Sequence, residues 1–401
     1  MKSLPKTWIP QTVADVCQMR NGHGFGPEDW DTTGLPIIRI QNLNGGQKFD
    51  YFSGEPDKRW LVEPGQMLFS WAGTKGVSFG PTIWRGTRGV LNQHIFKVQP
   101  NADIDGEWLY WALKHVTDRI EAQSHGFKST LVHVKKSDID RQPISVPPPK
   151  EQRRIAEIRS TWDQAIATTE QLLANSQRKV DALLQQLLTN PAARGEWPMA
   201  PIGEISERVQ RRAKEDEELP VLMISSGTGF VRQDEKYSHF MAGKSVENYI
   251  ALDYGEFAYN KGNSKLYEFG CVFPLLSHKR GLVPHVYVCF KLSASLHAGF
   301  YEHLFRADYL HDQLGALVNT GVRNNGLLNI RPADFLACEV PVPPLGEQQR
   351  IAEILSAATT WSEQQARDLD LLKQEKAALM SQLLTGKRRV KLSEAEMEAQ
   401  V

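Results

Sequence analysis

Two stretches, VPPPKEQRRIAEI at 146–158 and VPPLGEQQRIAEI at 342–354, are nearly the same phrase. Each runs from prolines, which force extended backbone, straight into a helix start. This repeated hinge constrains the chain more than any other feature. Without a gap, 146–189 aligns on 342–385 with 18 of 44 positions identical, and both copies close on Gln-Leu-Leu-Thr. Each copy reads as one long helix. Glu151 and Glu347 fall in the first turn, where a carboxylate complements the helix dipole. Asn190 before Pro191 in one copy and Gly386 in the other are the expected left-handed stops.

Between these signals apolar residues recur at spacings of three and four, the pattern of a coiled-coil seam. The first helix offers Ile155, Ile158, Trp162, Leu173, Val180, Leu183 and Leu187, and the second Ile351, Ile354, Trp361, Leu369, Leu372, Leu379 and Leu383. About 39 residues at 1.5 Å rise make a rod of roughly 58 Å. Leu172, Leu184, Leu188, Leu355 and Leu371 widen the stripe beyond one seam. Two readings stay open: the rods pair only with each other, or a surplus face receives helices of another protein.

The segments ahead of the helices echo each other more weakly. Each opens on a Trp phrase, TWIPQTVADV at 7–16 and EWPMAPIGEI at 196–205. A β-like run follows (Ile37 to Ile40; Val221 to Ile224), then a Gly turn feeding a strand (62–70; 251–260). The expected layout is α+β, with two mixed globular domains in tandem, each followed by a long helix, and the helices paired antiparallel about a pseudo-twofold axis. By residue this gives domain 1 at 1–146, a helix at 147–190, domain 2 at 191–342, a second helix at 343–386 and a polar tail at 387–401.

Composition adds exclusions. Apolar residues are 41% and no long apolar run occurs, so neither a membrane span nor a secretion signal is expected, and the cytoplasm is the expected compartment. Four scattered cysteines without a CxxC pair read as reduced, unligated thiols. Formal net charge is zero, so any basic surface must be local.

At the hinge phrases the chain resembles the specificity subunits of type I restriction-modification systems. PGQMLFSWAGTKG at 64–76, LNQHIFKV at 91–98 and YNKGNS at 259–264 support the match. One departure is Pro149-Lys150 in the first hinge against Leu345-Gly346 in the second. The resemblance implies two target-recognition domains, each reading half of a bipartite site in double-stranded DNA, and paired helices that set the spacing and dock two methyltransferase (modification) subunits. It implies a non-catalytic chain without a cofactor of its own. S-adenosylmethionine, ATP and Mg2+ would belong to the modification subunits and to ATP-dependent restriction subunits.

Reading bases in a groove calls for hydrogen-bonding side chains on short loops. In the first half the candidates are Arg39, Gln41, Asn42, Asn44, Ser70, Thr74, Lys75, Lys128, Ser129 and Thr130. In the second they are Ser225, Ser226, Asn260, Lys261, Asn263, Lys265, Arg323, Asn324 and Asn325. Loops of this composition are also ordinary solvated turns. His94 reads either as a structural histidine or as a DNA contact.

Catalytic signatures are missing. No Asn/Asp-Pro-Pro-aromatic string of an amine methyltransferase occurs, and neither AGKS at 242–245 nor GFKST at 126–130 has the glycine spacing of a phosphate loop. No HExxH or Cys/His quartet suggests zinc. Catalytic and metal-ligating residues are therefore expected to be none. The alternatives to a recognition subunit are a stand-alone DNA-binding nuclease and a coiled-coil adaptor.

Overall fold

The computed structural model describes residues 4–123, 131–213, 217–236, 247–262, 264–318 and 328–392. It divides into two compact units, Met1–Thr169 with Asp368–Val401, and Glu170–Arg367.

Alternation of apolar and polar residues builds the first unit's main sheet. Its strands are β1 (Cys17–Asn21), β2 (Met67–Ser70), β3 (Gly80–Ile83) and β4 (Ile95–Pro100), in the order β1-β4-β2-β3 and all antiparallel. Met19, Phe69, Phe96 and Val98 project from one face onto Trp108, Leu109, Leu113 and Val116 of helix α1 (Gly106–Gln123). Leu68 and Ile95 project from the other face into a smaller cluster with Ile38, Val62, Trp84 and Leu91. The strand Ile9–Thr12 pairs with Pro143–Val146, which leads into the hinge. Helix α2 (Pro149–Leu184) follows.

The second unit repeats this plan. Strands β5 (Ser206–Arg208), β6 (Phe257–Asn260), β7 (Cys271–Pro274) and β8 (Val288–Leu292) lie in the order β5-β8-β6-β7. Phe257, Tyr259 and Phe290 meet Phe300, Tyr301, Leu304 and Phe305 of helix α3 (Ala298–Arg306). Met199–Pro201 pairs with Glu339–Pro341 ahead of the second hinge, and helix α4 (Leu345–Leu384) follows.

Each unit takes helical packing from both rods, and the pairing within each is antiparallel. In the first unit Ile155 shares a core with Met380 and Leu383, and Asp163 forms an ion pair with Lys376. In the second, Ile351 and Leu355 share a core with Leu188, and Ser176 Oγ donates to Ser362 Oγ at 3.2 Å. Ile155 and Ile351, expected in a seam, instead complete the domain cores.

Three sequence expectations need correction. Asn190 is right-handed helical (φ −66°), not a left-handed stop. The rod continues through a π turn at Gln185–Thr189 and a last turn at Asn190–Ala193. Pro191 has no N–H to place, and the first turn of that segment needs none. The left-handed residue is Gly195 (φ 66°), whereas Gly386 (φ 70°) lies where a stop was expected. Ile354 and Trp361 are 38% and 62% exposed, so neither lies in a closed seam. The apolar stripe is wider than one neighbouring helix covers, and Leu172 and Leu371 also remain exposed. Ile158, Trp162, Leu173, Val180, Leu183, Leu187, Leu372 and Leu379 are half-buried, while Leu369 and Leu383 are buried.

Candidate nucleic-acid interface

The loops singled out in the first half are partly scaffold and partly surface. Arg39 precedes the turn Ile40–Leu43, forms an ion pair with Asp50 and lies 5.0 Å from the Trp30 ring centre. Asn42 is buried. Its Oδ1 accepts the Arg39 N–H at 2.9 Å, and its Nδ2 donates to the carbonyls of Gly46 and Lys48. Ser70 is fully enclosed at the end of β2. Asn42 and Ser70 were expected as DNA contacts and are not presented to a ligand, because each faces the protein interior. Gln41 and Asn44 are exposed on the same turn. Thr74 and Lys75 are half-buried, and Lys75 Nζ donates to the Glu121 carbonyl at 3.5 Å. The strand Ala72–Thr74 pairs with Leu131–His133. Trp71 thereby lies 5.2 Å from the exposed ring of His94 and 4.7 Å from that of His133, centre to centre.

In the second half Ser225 ends the strand Leu222–Ser225, and both it and Ser226 are half-buried. Asn260 Oδ1 accepts the Gly262 N–H at 3.0 Å, which shapes the turn after β6. The Lys261 carbonyl accepts the Leu328 N–H at 3.0 Å, and Lys265 is exposed. Lys128, Ser129, Thr130, Asn263, Arg323, Asn324 and Asn325 lie outside the described residues.

The hinges have a common internal lock. The Trp8 indole N–H donates to Glu151 Oε2 at 3.1 Å, and the Trp197 indole N–H donates to Glu347 Oε2 at 3.2 Å. Beside each carboxylate is a buried glutamine. Gln152 Nε2 donates to the Pro147 carbonyl at 2.9 Å, while its Oε1 accepts the Asp105 N–H at 2.7 Å. Gln348 does the same with the Pro343 carbonyl (2.7 Å) and the His297 N–H (2.9 Å). Asp105 and His297 immediately precede α1 and α3. One side chain thus ties the proline turn, the rod and the domain's own helix together.

Comparison with known proteins matches this duplicated plan. Residues 5–175 match the family described as Type I restriction modification DNA specificity domain. The Type I restriction enzyme MjaVIII specificity subunit of Methanocaldococcus jannaschii is 24% identical over 92% of this chain and 95% of its own length. Over nearly its whole length the chain is similar to type I specificity subunits. The EcoBI specificity subunit of Escherichia coli is 26% identical over a shorter stretch, 39% of this chain and 32% of its own. In fold, the chain resembles the S subunit from M. genitalium (TM-score 0.55, 16% identity, 98% of each chain). It also resembles the HsdS subunit from Thermoanaerobacter tengcongensis (TM-score 0.52, 15% identity, 96% of this chain and 98% of that one).

The relatives that span nearly the whole chain are named specificity subunits, and the matched family is described as a DNA specificity domain. Among the described residues no group of three or more His, Cys, Asp or Glu is placed to hold a metal ion, and no helix is long and apolar enough to cross a membrane. All four cysteines are free and buried. Burial pushes the Cys17, Cys271 and Cys289 thiols up to about 12, so they remain protonated and unreactive. The sequence reading missed the partners of the hinge carboxylates. Both signals were in view, a Trp opening each half and a Glu-Gln pair opening each rod, 143 and 150 residues apart. It also missed Arg389, which binds Glu151 from the basic tail.

Proposed function

We propose that each globular half reads one part of a bipartite DNA site and that the paired helices set the unread gap between the parts. The observation that carries this reading is the duplicated hinge lock. Equivalent Trp–Glu and Gln bonds tie each half to its rod, which suits a twofold reader on a duplex with its own approximate dyads. Gln41, Asn44, Thr74, Lys75, Ser225, Ser226, Asn260, Lys261 and Lys265 are the readers favoured among the described residues, with Arg39 oriented by Asp50. The exposed Leu172, Ile354, Trp361 and Leu371 support docking of two modification subunits along the rods. S-adenosylmethionine, and ATP with Mg2+, would be bound by modification and restriction subunits in the cytoplasm.

The test is to map methylated bases in cells that express this chain with a type I methyltransferase subunit. Replacing 1–145 by the matching segment of a relative should change one half of the methylated site and leave the other intact. Inserting one heptad in each rod, near Thr169 and Arg367, adds about 10 Å while nearly keeping the seam. The unread gap should then grow by about three base pairs at 3.4 Å each. A swap that altered both halves, or an active insertion mutant with an unchanged gap, would overturn the reading.

A further inference from the structure

We propose that the open face of the first sheet carries a binding site for the phosphate backbone of duplex DNA, formed by Arg20, Lys58, Arg59 and Lys97 with Gln18 and Gln99. These six side chains line one hollow of about 150 Å³, room for a phosphodiester group and a few waters. The proposal rests on the reading of the chain as a DNA-recognition subunit and adds a binding surface outside the reading loops.

Strand alternation creates the hollow. On β1 and β4 the apolar residues Met19, Phe96 and Val98 point to the core, so Gln18, Arg20, Lys97 and Gln99 share the opposite face. Leu68 and Ile95 of that face are covered by the smaller cluster, which leaves the β1 end open. Across the two strands Gln18 stands opposite Gln99, and Arg20 opposite Lys97. Like charges directly opposite each other destabilise a sheet, so the charge pairing itself does not favour this placement. Arg20 Nη2 donates to Gln18 Oε1 at 3.2 Å, and Lys97 Nζ donates to the Leu61 carbonyl at 2.7 Å. Both cations keep further donors. Among the described residues neither they nor Lys58 forms an ion pair, and Arg59 alone is paired, with Asp57.

The sign of the field follows from this inventory. Burial lowers the Lys97 pKa, nearby Glu63 raises it and Arg20 lowers it again. Glu63 is itself bound to Arg88 at 3.0 Å. An anion that enters would relieve the repulsion, and the two amide side chains supply neutral donors beside it. At the corresponding edge of the second sheet Glu207 stands opposite Lys291, and the next rung joins buried Val209 and Cys289. Among the described residues, the first half alone presents an unbalanced cationic face there.

The experiment measures binding of the full chain, in the same subunit composition for every variant, to a short duplex of random sequence across a salt series. Arg20→Gln, Lys58→Gln and Arg59→Gln should each flatten the slope of log affinity against log salt by about one for every phosphate no longer neutralised. The triple variant should bind roughly tenfold or more weakly at moderate salt, with unchanged methylated sequence. Lys291→Gln, which stands opposite Glu207 and outside the hollow, should leave the slope in place. Arg59 and Lys58 are exposed, so their variants test the site even if Arg20→Gln disturbs the sheet. A triple variant with wild-type slope and affinity would overturn the site while leaving DNA recognition standing. Absence of salt-dependent duplex binding by the wild-type chain would instead remove the recognition reading, and the site with it.

Discussion

In the first half, Arg20 faces Lys97 across the outer strand pair; in the second, Glu207 faces Lys291 and the adjoining rung is buried. A few residues away, the two halves hold their rods through the same bonds, Trp to Glu and Gln to a proline carbonyl. The contrast separates two kinds of constraint. A buried polar lock must be satisfied completely, because an orphaned donor or acceptor is costly, so both copies hold it unchanged. A solvent-facing pair is worth under about 1 kcal/mol either way, so its charge is free to follow what each half touches.

The hinge comparison breaks most easily at the glutamines. Gln152→Ala and Gln348→Ala each leave a buried proline carbonyl and a helix-initiating N–H without partners, an expected loss of about 4 kcal/mol. Urea unfolding should give similar losses for the two. A neutral result for one alone would mean that the hinges are not equivalent.

Acid should separate the halves next. His303 on α3 shares a hydrogen bond of 2.9 Å between its Nε2 and Ser356 Oγ. Burial, with Arg306 nearby, pushes its pKa down to about 4. A histidine depressed in the folded state contributes stability that is present above its unfolded value near 6.5 and is lost as pH falls toward 4. The second unit should lose about 2 kcal/mol between pH 7 and pH 5 from this group. His303→Gln, compared with wild type at both pH values, should remove most of that difference. An identical pH dependence in the variant would show that the imidazole already has a charged partner when folded.

Arg389 sharpens the comparison at smaller scale. Glu151 is bound by Trp8 and by Arg389, whereas Glu347 has only its Trp among the bonds described. Arg389→Ala should cost the first unit about 1 kcal/mol, the modest value expected when one partner is half exposed. No loss in thermal unfolding would class the tail contact as a surface pair. The smallest expected effect is at the strand pairs. Glu207→Gln removes the negative charge opposite Lys291, and the salt slope of duplex binding should steepen by less than one. A larger change would give the second sheet a backbone contact of its own.

Much of the fold was legible because it depends on local rules. Proline placement, heptad-like spacing and the doubled phrase implied two rods and two domains, and α2 and α4 follow those signals closely. Individual contacts were less legible. Asn42 and Ser70 have the right chemistry for reading bases and yet face inward, because composition does not tell a loop's surface from its support. Asn190 has the right type for a left-handed cap, but a π turn carried the helix past it to Gly195.

The sequence by itself determined the duplication, the rods and the hinge residues, because each is written in periodicity or in backbone chemistry that acts over a few residues. Tertiary structure alone decided what those residues meet. It placed Trp8 on Glu151 and Trp197 on Glu347, turned Ile155 and Ile351 from seam positions into domain core and gathered Arg20, Lys58, Arg59 and Lys97 from three segments into one hollow. The physical reason is reach. Helix and turn preferences act between neighbours in the chain, whereas burial and charge act between neighbours in space, and strand pairing chooses those neighbours.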